Sequence, residues 1–174
     1  MKHHSLKRLT LSAVFLAMGV VLPLLTMQIK EIGDSLLPMH LPVLLCGALC
    51  GKRHGAAVGL ILPPMRSLLF GMPPIYPNAV YMALELATYG FVIGLLYHRA
   101  RDRRLYRLYA SLIAAMLAGR AVWGAAKAVL LGIRGEGFPF AAFIAGGFAD
   151  ALPGILLQLL LVPFLVKISE RFIT

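Results

Sequence analysis

Ionisable and polar side chains interrupt the most apolar segments of this sequence, and they recur at helical spacing. Arg120, Trp123 and Lys127 stand at i, i+3 and i+7 in one apolar segment, which places them on a single stripe of a helix. The preceding apolar segment carries a second stripe, formed by Asn78, Tyr81, Glu85 and Thr88. Charges are expensive in an apolar surrounding, so each of these residues is a candidate for function.

Two further charges lie in or beside apolar segments. Asp150 falls near the middle of the last segment, and Arg66 follows Pro63 and Pro64 at the edge of another. Polar groups on several helices, together with aromatic walls, form the kind of pocket that binds small amphipathic ligands. The predicted binding set is Arg66, Asn78, Tyr81, Glu85, Arg120, Trp123, Lys127 and Asp150.

A packing interpretation of the same charges stays open. Arg120 with Asp150, and Lys127 with Glu85, would form internal ion pairs that only specify how the helices pack. Arg66 would either meet an anionic group or extend to the membrane surface. Cations outnumber acids in the set, and an unpaired buried cation is costly, which favours a ligand with a carboxylate or another anionic group.

The sequence offers little for catalysis or metal binding. It contains no HExxH, GxSxG or P-loop pattern, so we predict no enzymatic activity, no cofactor and no metal, with any energy supplied by a partner. His3 and His4 lie in a basic tail without other candidate ligands. Cys46 and Cys50 stand four apart in an apolar segment and are predicted to be small packing residues.

The composition points to a lipid environment for the chain. Of the 174 residues, 60% are hydrophobic and 14% are charged, and the apolar residues come in long blocks. The blocks predict an all-α integral membrane protein with six transmembrane helices in a single domain, residues 1–174. The first block lacks a persuasive cleavage site and is predicted to be a retained helix. The blocks are 9–27, 36–50, 56–70, 78–97, 108–131 and 140–166.

Basic residues are unevenly distributed between the blocks, and this predicts the orientation. With a cytoplasmic N-terminus, twelve of the seventeen Lys and Arg residues fall on the inner side, in the pattern of positive-inside membrane proteins. Both termini are therefore predicted to be cytoplasmic. The twelve are Lys2, Lys7, Arg8, Lys52, Arg53, Arg99, Arg101, Arg103, Arg104, Arg107, Lys167 and Arg171.

Two of the apolar blocks are short. Blocks 36–50 and 56–70 hold about 15 residues each, which rise only roughly 22 Å as helix and do not cross the hydrocarbon core. Irregular backbone at membrane depth needs protein or a water-filled cavity around it, so we expect loops 28–38 and 71–77 to cover an outward-facing cavity. In the alternative, these helices begin earlier in the loops and simply span.

The first block carries a small-residue pair. Ala13 and Ala17 stand four apart, and small-xxx-small spacing permits the close approach of another helix in lipid. Packing within the chain itself is the alternative role for the pair.

The combination resembles a known family. Short-looped helices, the Ala13/Ala17 pair, the run LPMHLPVLLCGALCGKRHGAAVGLILPPMRSLLFGMPP (37–74) and the run NAVYMALELATYGFVIGLLY (78–97) are similar to the substrate-binding S component of energy-coupling factor (ECF) vitamin transporters. The resemblance implies high-affinity capture of a vitamin-like molecule at the outer face of a bacterial cell membrane. It also implies a coupling membrane subunit, contacted by Ala13 and Ala17, and two cytoplasmic ATPases that drive uptake.

The resemblance does not transfer ligand contacts, because binding residues differ strongly within that family. Pantothenate is the favoured substrate, and folate, lipoate or a queuosine precursor would also fit an anionic site. A self-sufficient small-solute transporter or channel is one alternative function, although the polar positions thin out toward the inner side. A membrane enzyme or assembly factor is another, although no nucleophile or metal set is recognisable.

Overall fold

The computed structural model describes residues 2–25, 36–99 and 104–173, and over these ranges the chain is helical with short connections. The predictions for loop residues 28–35 and for Arg101 and Arg103 lie outside the described residues. A π turn, Ile75–Ala79, precedes α4, and a second one, Ala145–Ala149, follows α6. The helices are α1 (Lys2–Leu25), α2 (His40–Cys50), α3 (Lys52–Phe70), α4 (Val80–Arg99), α5 (Leu105–Ile133), α6 (Phe140–Ile144) and α7 (Leu152–Ile173).

Among the described residues, four helical segments are long and apolar enough to cross a membrane. They are Leu6–Leu24, Ile75–Arg99, Leu105–Ile133 and Leu152–Glu170. Two shorter apolar helices, His40–Cys50 and Phe140–Ala149, accompany them. The chain is therefore a multi-pass helical membrane protein, while the count of six spans and the orientation stay predictions.

The two apolar blocks that were predicted to form short helices differ in length in the structure. α2 is an 11-residue helix, and it rises only about 16 Å, as expected for a segment that does not cross the core by itself. α3 is longer than predicted, with 19 residues that continue through Pro63 and Pro64. The expectation of a short third helix was wrong because Gly51 alone makes the turn, at a φ of 98° that favours glycine. The basic residues after Gly51 thus belong to α3.

The last predicted span, residues 140–166, is broken. α6 holds 5 residues, a π turn that includes Gly146 and Gly147 follows, and α7 begins only at Leu152. Pro153 lies in the first turn of α7, where its missing N–H is tolerated, whereas in mid-helix it would interrupt the hydrogen bonding. Asp150 lies at this break with an exposed side chain, so the prediction of one continuous helix around it was wrong.

The centre of the fold is α4, which packs against α2, α3 and α5. Glycines set its contacts with α2 and α3. A Cβ on Gly90 would lie 2.3 Å from the backbone of Gly55, and a Cβ on Gly47 would lie 2.5 Å from the carbonyl oxygen of Gly90. The three backbones therefore touch, which is the close packing that small residues allow in lipid. We call α2, α3 and α4 the glycine-packed unit.

Outer helices complete the bundle around this unit. α1 packs on α2 and α3, and α7 packs on α2 and α5. Cys46 and Cys50 are free and buried in the core, as predicted for packing residues. Near the end of α7, Glu170 accepts a 2.7 Å hydrogen bond from the Tyr97 hydroxyl, which brings the C-terminal ends of α4 and α7 together.

Candidate functional site

An aromatic cage surrounds Lys127 where α4 meets α5. The Lys127 ammonium lies 4.8 Å from the centre of the Trp123 ring, 5.0 Å from that of Phe138 and 5.8 Å from that of Tyr81. Each contact places the cation near the negative face of a π system. Tyr81 and Trp123 also meet edge to face, with ring centres 6.2 Å apart. The cage therefore combines one cation with three aromatic walls, and it brings together Tyr81, Trp123 and Lys127 of the predicted binding set.

Helical periodicity and one glycine position the cage. Trp123 and Lys127 are one turn apart on α5, so their side chains share a face. Phe143 of α6 packs against the other side of Trp123, with ring centres 6.1 Å apart. A Cβ on Gly124 would lie 2.3 Å from the Phe143 ring, so only glycine admits Phe143 here. The broken last segment thus supports the indole of Trp123.

A buried charged cluster adjoins the cage, formed by Glu85, Arg120 and His40. The Glu85 Oε1 atom lies 3.0 Å from an Arg120 terminal nitrogen and 3.4 Å from His40 Nε2. The three residues are only 1%, 4% and 1% exposed, respectively. The Arg120 guanidinium also lies 5.9 Å from the centre of the Trp123 ring, so the cluster and the cage form one continuous site. The Trp123 indole therefore lies next to both Arg120 of the cluster and Lys127 of the cage.

The cluster corrects the predicted ion pairs. Arg120 was assigned to Asp150 in the packing interpretation, but it pairs with Glu85, while Asp150 is exposed at the helix break. Glu85, which was assigned to Lys127, is thereby engaged by Arg120. Helix spacing predicted which side chains share a face of one helix. It did not predict which faces of two helices meet.

His40 was not part of the binding set predicted from the sequence. The structure places it at the start of α2, with its ring edge to face against Tyr89 at a centre distance of 5.1 Å. Tyr89 fits because Gly119 has no side chain, since a Cβ there would lie 3.0 Å from the ring. The available signal was the apolar surrounding of His40 in LPMHLPVLL, where a titratable residue is costly.

Arg120 retains hydrogen-bonding capacity. Among the described residues, the Nε atom and one terminal nitrogen of Arg120 have no hydrogen-bond acceptor. The Nδ1 atom of His40 also has no hydrogen-bond partner there. Buried donors are normally satisfied, and a guanidinium presents several in one plane that matches a carboxylate. A ligand carboxylate or carbonyl would therefore fit the chemistry of this cluster.

The remaining predicted residues lie in other surroundings. Arg66 is buried and donates a 2.5 Å hydrogen bond to the carbonyl of Val20 in α1, with its guanidinium over the Phe70 ring. It therefore ties α3 to α1 and does not extend to the membrane surface. Asn78 is half-buried in the π turn before α4. The Thr88 hydroxyl donates to the carbonyl of Leu84 in its own helix.

Ala13 and Ala17 lie on the outer side of α1. Both are exposed, whereas Ser12 and Phe15 on the opposite side are buried against the bundle. The pair therefore does not pack within the described part of the chain, and its face is open to lipid or to another helix. Within residues 2–25, 36–99 and 104–173, no three His, Cys, Asp or Glu side chains cluster as metal ligands.

Membrane-length helices define the class of this chain, a multi-pass membrane protein, and its aromatic cage and buried charged cluster lie where α4 meets α5. The family model described as "ECF transporter, substrate-specific component" matches residues 7–166. The chain belongs to this family, which confirms the resemblance seen in the sequence. Family membership supports a role in micronutrient uptake as a substrate-binding transporter subunit. No curated protein and no solved structure matches the chain.

Proposed function

We propose that this protein captures a small anionic vitamin, with pantothenate as the favoured compound, in the cage and cluster between α4 and α5. The observation that carries the proposal is the Arg120 guanidinium, which is buried beside Trp123 and keeps donors without an acceptor among the described residues. These donors suit the carboxylate of the vitamin, while Tyr81, Trp123 and Phe138 suit its apolar part. Glu85, His40 and Lys127 complete the site. Contact roles for Arg66, Asn78 and Asp150 stay predictions.

The proposal includes an orientation and partners. Arg8 of α1 and Arg99 of α4 line one cleft, and the end of α7 is bonded to the end of α4 through Glu170 and Tyr97. The start of α1 and the end of α7 therefore lie at the same end of the bundle, which supports a shared side for both termini. In this proposal that side is the cytoplasm of a bacterial cell, and the positive-inside pattern supports the cytoplasmic assignment. A coupling membrane subunit and two ATPases would supply the work of uptake.

Variants of the cage test the site. Lys127→Met and Trp123→Ala should each weaken vitamin binding by roughly tenfold or more, because the first removes the cation of the cage and the second removes the aromatic wall beside Arg120. Affinity would be measured by titrating the purified protein with pantothenate, folate and lipoate. Val129→Ala is the matched control, since Val129 is exposed on the same helix. Unchanged affinity in both cage variants for the vitamin that binds would remove α5 from the site.

A further inference from the structure

A concave cleft lies at the basic end of the bundle, away from the cage. It is a cleft of about 610 Å³ between the first turns of α1, the turn at Gly51 and the C-terminal end of α4. Its basic lining side chains are Arg8, Lys52, Arg53, His54, His98 and Arg99. Tyr81 and Arg99 are 18 residues apart on α4, about 27 Å of helix, so this cleft is separate from the proposed vitamin site.

Acidic side chains among the described residues do not neutralise the positive charge of the cleft. Within the described ranges, no carboxylate belongs to its lining, and Arg8, Arg53 and Arg99 form no ion pair. Lys52 lies over the Phe91 ring at 5.7 Å, which keeps a fourth cation at the same end. Like charges gathered in one concavity repel one another and raise the local potential, so the cleft attracts anions.

The start of α3 adds backbone donors to this positive field. α3 begins directly after Gly51, and no side chain caps it. The first N–H groups of a helix have no partner within the helix, and they carry the positive end of its dipole. A helix start of this kind is suited to phosphate, which accepts hydrogen bonds in several directions. Here it occurs together with arginines on three helices, which are the preferred side chains for phosphate.

The base of the cleft is held in place by the glycine-packed unit. A Cβ on Gly94 would lie 2.5 Å from the backbone nitrogen of Lys52, so α4 and the start of α3 are in direct backbone contact. At Gly51 a Cβ would meet only His98 Nε2, at 3.9 Å, which leaves the turn open toward the cleft. The basic side chains of α3 and α4 therefore line the same cleft, and no rearrangement of the backbone is needed to bring them together.

We infer that this cleft binds a phosphate group, carried by an anionic phospholipid headgroup or by a soluble phosphate ester. Its volume lies within the range of small-ligand sites, and basic pockets between membrane helices on the cytoplasmic side are suited to lipid headgroups. This site goes beyond the proposed vitamin capture and does not depend on it. A bound lipid phosphate would hold the basic end of the bundle at the inner membrane surface.

The experiment is a titration of the purified full-length protein by native mass spectrometry. The lipid arm compares short-chain phosphatidylglycerol with phosphatidylcholine, and the soluble arm uses glycerol 3-phosphate. Wild-type protein should retain phosphatidylglycerol over phosphatidylcholine, and Arg53→Gln and Arg99→Gln should each weaken this binding by roughly tenfold. Arg134→Gln is the control, because Arg134 is exposed and paired with Glu136 in another loop.

Each result decides the inference. Binding of glycerol 3-phosphate as tight as that of phosphatidylglycerol, with loss in the same variants, would support a phosphate site and assign it to soluble esters. Binding of neither phosphatidylglycerol nor glycerol 3-phosphate, or phosphatidylglycerol binding that neither variant weakens, would overturn the inference. If those variants fail to fold, Arg8→Gln on α1 provides the same test, since Arg8 is exposed and lies outside the glycine-packed unit. Vitamin affinity should be unchanged in Arg53→Gln, which separates this site from the cage.

Discussion

Replacing Arg120 by leucine should lower the free energy of unfolding by about 3–5 kcal/mol, because Glu85 would remain buried without its cation. The same variant should lose detectable vitamin binding, since it removes the donors proposed to hold the carboxylate. Unfolding would be followed in detergent with increasing temperature or denaturant. Binding would be titrated with the panel of pantothenate, folate and lipoate.

The double variant Arg120→Leu with Glu85→Leu separates folding from binding. Replacing both members of a buried ion pair by apolar residues is often neutral for stability, so the double variant should be markedly more stable than Arg120→Leu alone. It should still fail to bind the vitamin. A double variant that folds and binds with wild-type affinity would show that the pair only specifies packing, and would contradict the proposed site.

Replacing Ala17 by phenylalanine should reduce vitamin uptake by roughly tenfold or more while leaving vitamin affinity unchanged. Ala17 and Ala13 are exposed on α1, and a bulky side chain there would block the close approach of the coupling subunit's helix. Uptake would be measured in proteoliposomes that contain the coupling subunit and both ATPases, and affinity in the isolated protein. Ala13→Phe should have the same effect.

Ala110→Phe is the matched control for these variants. Ala110 is also an exposed alanine, but it lies on α5 and away from the proposed partner face, so uptake should be retained. The opposite pattern in Ala17→Phe, with vitamin binding lost and assembly with the coupling subunit preserved, would contradict the assignment of this face.

The stripes on α4 and α5 show what the sequence was able to predict. Their spacing is a local property, so it correctly placed Trp123 and Lys127 on one face, and Tyr81 is found opposite them. Which residue of another helix a side chain pairs with is not a local property of the sequence. The pairing of Arg120 with Glu85 depends on how close α4 comes to α5, and Gly119 contributes to that approach because its missing side chain leaves room for the Tyr89 ring of α4.

The wrong predictions also have physical causes that the local spacing of residues does not reveal. Asp150 was placed inside a continuous span because the segment is apolar throughout, yet Gly146, Gly147 and Pro153 interrupt it. The third helix was predicted to be short because its first residues are basic, although a single positive-φ glycine suffices for the turn. His40 was overlooked because hydropathy alone does not reveal that it faces Glu85 on a different helix.

The central claim is that the aromatic cage and charged cluster between α4 and α5 hold a small anionic vitamin. Mass spectrometry of small molecules released from the purified, detergent-solubilised protein tests it most directly. We predict one recurrent vitamin with a carboxylate, at close to one molecule per chain, that is absent from the Arg120→Leu and Glu85→Leu double variant. Recovery of no such compound, together with no binding of any member of a broad vitamin panel, would contradict the claim.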